Sequence, residues 1–467
     1  VHRWLMVIDS NINVPGKLTL AALLALLFTC GTGWCADKPH ILYINADDLG
    51  VMDVGYNNPK YNTPNLDLLA REGMTFTSGY APAANCSPSR ACVHSGQWGS
   101  RHGVYTVGTS TRGDTKTRKL IPTKNTQHLP KGTMTIAQAL KAGGYKTIHL
   151  GKYHIGKDPL TQGFDVNIGG GYEGGPSHGG YFSPWKAGSM QPWSEQYPKG
   201  THRMDVFADQ AKKFIDAHKD QPMFIHFSPY SVHTGLEPVP EFIDNYKDKE
   251  VHAVYASMVE KFDQGVGKVL EHLKTTGLDK NTLVVFTSDN GGVRTFATQA
   301  PYRAGKGSYY EGGIREPLVM RWPGKIDAGS TCDTPVYGID FFPTFLDAAG
   351  LDNPRDHVLD GVNLLPLMTQ SGDIEKRALF WHFPVYLQAY NKERDGSRDP
   401  LFRTRPGSAL RYGKWKLHEY FEDGGLELYN LEKDVGEQNN LAASKPEKLN
   451  ELKQMLHAWR DEVKAPV

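Results

Sequence analysis

From about residue 40 onward, short apolar runs typical of buried strands alternate with longer segments that have the spacing of amphipathic helices. A strand, a helix and a second strand in succession usually form a parallel pair with the helix packed across it. The alternation therefore predicts an α/β fold with a large, mostly parallel or mixed sheet between helices. The predicted strands cover residues 40–45, 145–150, 223–227, 282–287 and 317–321, and the predicted helices cover 63–72, 135–140, 206–217 and 253–273.

After about residue 374 the pattern changes to short strands separated by turns, such as 414–419 and 427–429. The closing segment places five apolar side chains on one helical face, which would dock on a small sheet: Leu449, Leu452, Leu456, Trp459 and Val463. We therefore expect a smaller C-terminal subdomain, an antiparallel sheet plus a helix, over residues 374–467, and a larger N-terminal domain over residues 37–373.

Residues 17–36 have the layout of a secretory signal peptide. Lys17 precedes the apolar run 18–28, and small residues follow up to Ala36. The run is too short to span a bilayer. We therefore predict a leader over residues 1–36, a secreted or periplasmic protein, and no membrane span. With cleavage near Ala36, the cysteines left are Cys86, Cys92 and Cys332, of which the last two could pair in an oxidising compartment.

Polar side chains follow the predicted strands at their carboxyl ends, where open α/β sheets bind ligands. One Asp-Asp pair alone is more often a turn or a helix cap than a metal site. Here, however, two of the predicted strands are followed by hard oxygen donors, which favour calcium or magnesium over zinc: Asp47, Asp48, Asp289 and Asn290. The sequence therefore predicts a site for calcium or magnesium at this edge.

The run Cys86-Ser87-Pro88-Ser89-Arg90 predicts a helix with Ser87 as N-cap and Pro88 as its first residue. Cys86 would then lie where backbone amides and the helix dipole favour an anion, which lowers a thiol pKa. The alternatives are a buried structural cysteine or half of a disulfide.

Five cationic or imidazole side chains are expected near the same edge: Arg90, Lys152, His154, His233 and Lys306. Each alone could be a solvated lysine or a structural histidine. Together with a divalent cation they suit a bound anion such as a sulfate monoester, whose cleavage adds negative charge to the bridging oxygen. The chain as a whole has 52 basic and 51 acidic side chains, so no global field attracts nucleic acid.

These motifs, in this order, resemble the formylglycine-dependent type I sulfatases of the alkaline phosphatase superfamily. The Cys86 run resembles the family's first signature and residues 144–154 its second. Further matches are Asp47-Asp48, the segment 288–291, the lysine loop 305–315, and the C-terminal stretches 415–417 and 428–431. The chain departs at residues 94–96, where His-Ser-Gly stands for Leu-Thr-Gly, and at His233, which follows Val rather than Pro.

The resemblance implies that Cys86 is oxidised to formylglycine by a formylglycine-generating enzyme, and that the aldehyde hydrate attacks the sulfur. It implies a calcium site formed by the four oxygen donors and the modified Cys86. Arg90 and Lys152 would hold the hydrate, and Asp289 would assist its attack. Lys306 and His233 would contact the sulfate, and one of them would protonate the leaving oxygen. His154 would then take a proton from the second hydroxyl, which expels sulfate.

The substrate is expected to be a sulfated carbohydrate, a polysaccharide or a glycosaminoglycan-type oligosaccharide, by resemblance to secreted sulfatases. His102 and His178 are candidate substrate-binding residues beside Lys152, His233 and Lys306. A Gly-rich stretch is either a sugar-binding surface or irregular surface loop, with the candidate contacts Tyr172, His178, Tyr181 and Trp185. A basic segment could guide a polyanionic glycan or be a solvated loop, with Arg112, Lys116, Arg118, Lys119 and Lys124. The charged and aromatic loop 386–405 could close over the site.

Two alternatives stay open at this point. A phosphonate monoester or phosphodiester hydrolase could share this fold and the Cys86 run. A non-catalytic glycan-binding relative could keep Cys86 unoxidised. The oligomeric state is left open by the sequence.

Overall fold

An eight-stranded mixed sheet is the main layer of the computed structural model, which describes residues 38–176 and 179–467. The predicted leader lies outside the described residues. The strands of the whole described chain are β1 His40–Ala46, β2 Met74–Phe76, β3 Gly79–Tyr80, β4 Lys146–Gly151, β5 Val166–Ile168, β6 Met223–Ser228, β7 Thr282–Ser288, β8 Val319–Arg321, β9 Ser330–Cys332, β10 Val336–Tyr337, β11 Ala378–Phe383, β12 Leu387–Gln388, β13 Phe402–Thr404, β14 Gly407–Tyr412, β15 Trp415–Tyr420 and β16 Leu426–Asn430.

The helices that cover this sheet and close the chain follow the amphipathic segments seen in the sequence. They are α1 Pro64–Glu72, α2 Cys86–Ser95, α3 Gly99–His102, α4 Ile136–Ala142, α5 Arg203–His218, α6 Ala253–Thr275, α7 Glu311–Ile314, α8 Phe341–Ala348, α9 Leu365–Met368 and α10 Pro446–Glu462. Helix α4 begins with a capping box, in which Thr135 and Gln138 satisfy each other's backbone N–H groups. Among the described residues, none of the helices is both long and apolar enough to cross a membrane.

The main sheet has the order β5-β4-β6-β1-β7-β8-β2-β9. The five strands from β5 to β7 are parallel, whereas β8 runs antiparallel to both β7 and β2. The predicted α/β fold with a mostly parallel or mixed sheet is therefore confirmed. Strands β1, β6 and β7 are buried along their whole length, which explains their continuous apolar sequences.

Two apolar clusters hold helices on the two faces of this sheet. Leu42 and Ile44 point to the side that α5 and α6 cover, and these helices contribute Phe207 and Val259. Ile41 and Tyr43 point to the opposite side, which contains residues of α2, α4 and α8. Because successive side chains of a strand alternate between faces, β1 contributes to both clusters and lies at the centre of the fold.

A second, four-stranded antiparallel sheet with the order β11-β14-β15-β16 forms near the C-terminus. Helix α10 packs on it through Leu452, Leu456 and Trp459, which meet Leu417 and Leu428 of the sheet. The predicted antiparallel sheet with a docked helix is confirmed. Residues 39–467 form one compact unit, and a domain boundary after residue 373 stays a prediction.

Candidate active site

The carboxyl ends of β1 and β7 bring together acidic residues that are far apart in the sequence. The two strands are parallel neighbours and pair up to Ala46 and Ser288, so the residues that follow them meet. The backbone N–H of Asp48 donates to Asp289 Oδ1 at 3.1 Å, and Asn290 Nδ2 donates to Asp48 Oδ1 at 2.9 Å. Asp48 Oδ1 also lies 3.7 Å from Cys86 Sγ. The strand-end residues and the thiol therefore form one cluster.

The chemistry of this cluster fits a hard divalent cation. Asp47, Asp48, Cys86 and Asp289 each offer one ligand atom, and these atoms all lie within 4.8 Å of one another. Asn290 Oδ1 is buried and has no hydrogen-bond partner among the described residues, as expected of an oxygen reserved for a ligand. Burial raises the pKa of Asp47 to about 8, although Lys152 opposes the shift. A further cation would favour the ionised form of Asp47 near neutral pH.

Each of the three carboxylates also faces a basic side chain. Lys152 Nζ donates to both oxygens of Asp47, at 2.7 and 2.8 Å, and Lys306 Nζ lies 2.7 Å from Asp48 Oδ2. Burial alone would lower the pKa of Lys306, but Asp48 and Cys86 outweigh it and hold that pKa well above its ordinary value. The lysine is therefore protonated and can donate a proton or a hydrogen bond to an anion.

Arg90 connects α2 to the ends of three strands. Its Nε donates to Asp289 Oδ2 at 2.7 Å, and its Nη1 donates to Ser228 Oγ at 2.6 Å and to the carbonyl of Lys152 at 2.8 Å. Arg90 is one helical turn beyond Cys86, so both side chains point to the same place. Ser228 was missed by the sequence analysis, although it ends β6 and the strand-end argument applies to it equally.

The start of α2 corrects one prediction. The helix begins at Cys86 with Asn85 as N-cap, two residues before the predicted start at Pro88. The first helical bond runs from the N–H of Ser89 to the carbonyl of Asn85, at 3.1 Å. Ser87 Oγ does not cap the helix but donates to the carbonyl of Gln127. Cys86 is therefore part of the first turn, and its thiol points at Asp48.

Two histidines complete the cluster. His154 follows β4 and adopts a left-handed conformation, with φ of 62°. Its Nδ1 is buried without a described partner, and burial together with Lys152 and Arg90 holds the ring pKa well below its ordinary value. A neutral His154 can accept a proton. His233 Nε2 lies 3.8 Å from Asp48 Oδ2, and burial and Lys306 lower its pKa although Asp47 opposes them.

The Gly-rich stretch after β5 packs directly on these two rings. A methyl group added at Gly174 would lie 2.7 Å from Cε1 of His154, and one at Gly175 would lie 2.7 Å from Nδ1 of His233. Tyr181, from the same stretch, donates its hydroxyl to the carbonyl of His233 at 2.9 Å. The stretch therefore fixes both histidines, a role that its irregular sequence does not reveal.

Some predicted contact residues lie elsewhere. His102 is buried beside Cys92, with Nε2 3.5 Å from its Sγ, and no described contact joins it to the Asp48 cluster. His178 lies outside the described residues. The interpretation of Tyr181 and Trp185 as sugar contacts is wrong, because both are 1% exposed and belong to the core. Tyr172 is 49% exposed and packs against His128, with ring centroids 4.4 Å apart and the ring planes tilted by 32°.

The described cysteines Cys86, Cys92 and Cys332 are all unpaired thiols. Cys92 packs with Tyr80 and Trp381, whereas Cys332 lies at the edge strand β9 against the other apolar cluster. The structure therefore holds no disulfide between Cys92 and Cys332.

A buried ion network holds the lysine loop against the second sheet. Lys416 Nζ lies 2.8 Å from Glu311 Oε1 and 3.0 Å from Glu437 Oε1, and all three side chains are fully buried. Arg315 adds an ion pair with Glu311 at 3.0 Å. Glu311 begins α7, five residues after Lys306, so the second sheet anchors the segment that carries this lysine. The sequence analysis placed Glu311 and Lys416 in separate motifs and did not predict that they pair.

Comparison with known proteins gives consistent matches along the described chain. The family profile described as Sulfatase matches residues 39–351, and a profile described as N-sulphoglucosamine sulphohydrolase, C-terminal, matches residues 305–464. A protein named Sulfatase from Formosa agariphila is 32% identical over 512 residues, covering 92% of this chain and 90% of that protein.

Two further similarities come from an animal enzyme and a solved structure. The N-acetylgalactosamine-6-sulfatase of Rattus norvegicus is 32% identical over 374 residues, covering 74% of this chain and 68% of that protein. The crystal structure of Ps i-CgsB in complex with k-i-k-neocarrahexaose has a TM-score of 0.73 and 28% identity, covering 91% of this chain and 93% of that one.

Proposed function

Because this chain belongs to the sulfatase family and is a sulfuric ester hydrolase, we propose that it hydrolyses a sulfate monoester of a carbohydrate and releases inorganic sulfate. One observation carries the proposal: Asp48 lies within contact distance of a thiol, a lysine and a histidine, namely Cys86, Lys306 and His233. A carboxylate cluster bordered by the cations Lys152, Lys306 and Arg90 suits an anionic ester that gains charge as it is cleaved.

We propose calcium as the cation of this site, with magnesium as the alternative. Asp47, Asp48, Asp289, Asn290 and the modified Cys86 would hold it, in keeping with their oxygen-rich donor set. When bound, such a cation supplies fixed positive charge that polarises a sulfate oxygen. Hydrogen bonds from the two lysines and Arg90 hold the carboxylate groups in place.

We propose that Cys86 is the modified residue and that a formylglycine-generating enzyme oxidises it during maturation. The resulting aldehyde, once hydrated, supplies the oxygen nucleophile. Arg90 and Lys152 border the Cys86 thiol from the side of β4 and β6 and would orient the hydroxyl groups. Asp289, which faces Arg90, would assist the attack.

The chain's other side chains would move protons. Lys306 is protonated beside Asp48 and would donate to the leaving oxygen, with His233 as the second candidate donor. His154 is neutral and its Nδ1 has no described partner, so it is suited to accept a proton when sulfate is released. The proposed acid, Lys306, has a raised pKa that keeps it protonated, and the proposed base, His154, has a lowered pKa that keeps it neutral.

A carbohydrate is the substrate class that the surroundings favour. The half-exposed ring of Tyr172 and that of Tyr390, which is 50% exposed, could stack on sugar faces. The rat relative is named for a sulfated amino sugar, and the Ps i-CgsB crystal contains a neocarrahexaose. A sulfated polysaccharide or oligosaccharide would be met outside the cytoplasm, in agreement with the leader predicted for residues 1–36.

Two measurements test the function. After alkylation of free thiols, mass spectra of the peptide containing Cys86 should show the mass loss of thiol-to-aldehyde conversion, or the mass of the hydrate without an added alkyl group. Turnover of 4-nitrophenyl sulfate should then exceed that of 4-nitrophenyl phenylphosphonate, whereas the opposite ranking would favour a phosphonate hydrolase. An unmodified Cys86 in protein from the native host would overturn the mechanism and favour a glycan-binding protein.

Removal of the metal should lower both activity and stability. Dialysis against a chelator is expected to abolish turnover of 4-nitrophenyl sulfate and to lower Tm. The four close ligand groups would lose the bound cation that offsets their mutual repulsion and stabilises the folded state. Restoring Ca²⁺ should recover both, and parallel restoration with Mg²⁺ ranks the two ions. An unchanged Tm and an unchanged rate after exhaustive chelation would contradict the metal site.

Gly174→Ala should impair catalysis with little effect on folding. The added methyl group would push the ring of His154, and a displacement of about 1 Å can lower kcat roughly 100-fold. The matched control is Gly372→Ala, whose added methyl group would meet only Pro366 Cβ at 3.9 Å. Steady-state kinetics and Tm of both variants check this, and an unchanged kcat for Gly174→Ala would show that His154 tolerates the shift.

A further inference from the structure

Arg403 lies beside the lysine loop and forms an ion pair with no carboxylate of the described residues. It belongs to β13 and is 4% exposed. Its Nη1 donates to the carbonyl of Lys306 at 3.0 Å and its Nε to the carbonyl of Gln388 at 3.0 Å. Its Nη2 is buried and finds no hydrogen-bond partner among the described residues. A buried guanidinium with an unused donor is costly unless an anion can reach it.

Arg112 lies on a segment that packs against β13, the strand that carries Arg403. Its Nη2 donates to the carbonyl of Val107, close to Thr106, whose Oγ1 accepts from Asn85 next to Cys86. A methyl group added at Gly113, the residue after Arg112, would lie 2.5 Å from Cε1 of Phe402, the residue before Arg403. Burial is the main cause that lowers the pKa of Arg112, and the charges of Tyr390 and Arg403 also act on it, in keeping with this placement. In residues 38–176 and 179–467, neither Arg112 nor Arg403 forms an ion pair with a carboxylate.

The cations of the catalytic cluster differ in this respect. Lys152, Lys306 and Arg90 each face a carboxylate, at 2.7 Å in every case. The positive charge that the cluster would need for the reacting sulfate is therefore largely balanced by its own acids. Arg112 and Arg403 add charge that the described protein does not balance, which indicates a place for a second anion.

Tyr390 shows what kind of molecule would carry that anion. The guanidinium carbon of Arg403 lies 3.4 Å from the centroid of its ring, so the two side chains are stacked. The residue is nevertheless 50% exposed, which leaves aromatic surface for a sugar. Its loop is fixed by Asp395, which accepts the N–H of Tyr390 at 2.7 Å.

We propose that Arg112 and Arg403, with Tyr390 beside them, form a second oxyanion subsite next to Lys306. The subsite binds a sulfate or carboxylate group that the carbohydrate carries in addition to the reacting ester. This inference rests on the proposed function, because it concerns the part of the substrate that does not react. The preferred substrate is accordingly a carbohydrate with at least two anionic groups.

The test compares three aryl esters with the same reacting group: 4-nitrophenyl sulfate, its 3-carboxy derivative and its 3-sulfo derivative. For the wild type we expect kcat/KM to favour a doubly charged ester over the parent. In Arg112→Gln this preference should fall roughly 10- to 100-fold, as expected for one charge-assisted hydrogen bond. Arg112→Lys should retain part of it. Comparing kcat/KM for the 3-carboxy and 3-sulfo esters shows whether the subsite prefers a carboxylate, as in a uronate, or a second sulfate.

Lys131→Gln is the matched control, because Lys131 is exposed, is not one of the candidate anion contacts, and its loss changes the net charge equally. It should leave the preference unchanged at physiological ionic strength. An equal loss on all three esters in Arg112→Gln would overturn the subsite and indicate that Arg112 only supports the catalytic cluster. An unchanged preference would overturn it as well.

A binding measurement keeps the subsite testable apart from catalysis. Calorimetry compares Cys86→Ala protein with the Cys86→Ala, Arg112→Gln double variant. The added Arg112→Gln should raise the Kd for the 3-sulfo ester by the same roughly 10- to 100-fold and leave the Kd for the parent ester unchanged. If the wild type hydrolyses none of the esters, the proposed function fails. The Kd values for the 3-sulfo ester still test the subsite in that case, and equal values with and without Arg112→Gln would overturn it.

Discussion

We expect Cys86→Ala to lower the turnover of 4-nitrophenyl sulfate by at least about 10⁴-fold, the scale of losing a nucleophile. Folding should be little affected, because the only hydrogen-bond contact described for the thiol is the weak one with Asp48 at 3.7 Å. Kinetics under saturating ester, together with Tm, check both statements. A residual rate near that of the wild type would exclude Cys86 as the source of the nucleophile.

Cys92→Ala is the matched control for this experiment. Cys92 lies on the same helix and, like Cys86, is 1% exposed, but it packs against Tyr80 and Trp381 in the apolar core. Its loss should lower the free energy of unfolding by on the order of 1–2 kcal/mol, since it leaves a small cavity. The turnover number should stay near that of the wild type. The two cysteines thus separate a chemical effect from a packing effect.

The second large effect is expected from Lys416→Met. Glu311 and Glu437 would then face each other in a fully buried site without the ammonium group between them. Removing one partner of such a network is expected to lower the free energy of unfolding by about 3–5 kcal/mol. Urea unfolding measures this, and Lys416→Met combined with Glu437→Gln should regain part of the loss. An effect below that of a surface substitution would mean that the network is not formed.

Lys414→Met provides the comparison two residues away. Lys414 is 43% exposed and lies 3.2 Å from Glu432, itself 65% exposed. Exposed pairs of this kind contribute about 0–1 kcal/mol. A large difference between the two variants in the free energy of unfolding would therefore result from the burial of Lys416, because both variants lose the same charge.

The same network has a pH signature. Burial would raise the pKa of Glu311, but Lys416, Arg315 and Arg411 outweigh it and lower that pKa to about 2, from an ordinary value of 4.5. A depressed carboxyl pKa stabilises the fold above the unfolded-state value, and this stabilisation is lost as the pH falls from 4.5 toward 2. The wild type should lose stability across that range, and Lys416→Met should lose less.

The sequence predicts the strands and the acids of the site because both follow local rules. Buried parallel strands are continuous apolar runs, and the polar residues just after them had to meet, as Asp47, Asp48 and Asp289 do. The start of α2 was misplaced by two residues, since a Ser-Pro pair is a common helix start and tertiary contacts of Asn85 and Ser87 override it.

Other parts could not be read from local patterns. Charged residues are usually exposed, so a buried Lys416 is not expected from the sequence. Its sequence neighbours also do not indicate its partners, which are Glu311, 105 residues earlier in the chain, and Glu437. Tyr181 and Trp185 are aromatic residues of the kind that stack on sugars, but both are buried in the hydrophobic core. Arg403 was included only in a loop that could close over the site, because its contact with Lys306 is made through a backbone carbonyl.

The hydrogen bond between Asp48 and Asp289 joins residues 241 positions apart, which has a consequence for the order of folding. Contacts of such long sequence separation form late, because they close the largest loops. The run around Cys86, by contrast, is complete within five residues and exists as soon as it is synthesised. In the finished protein the thiol is 1% exposed. The modifying enzyme that we propose would therefore have to read a short linear segment before β7 is in place, and the time the chain takes to close its sheet would limit how much of the protein becomes active.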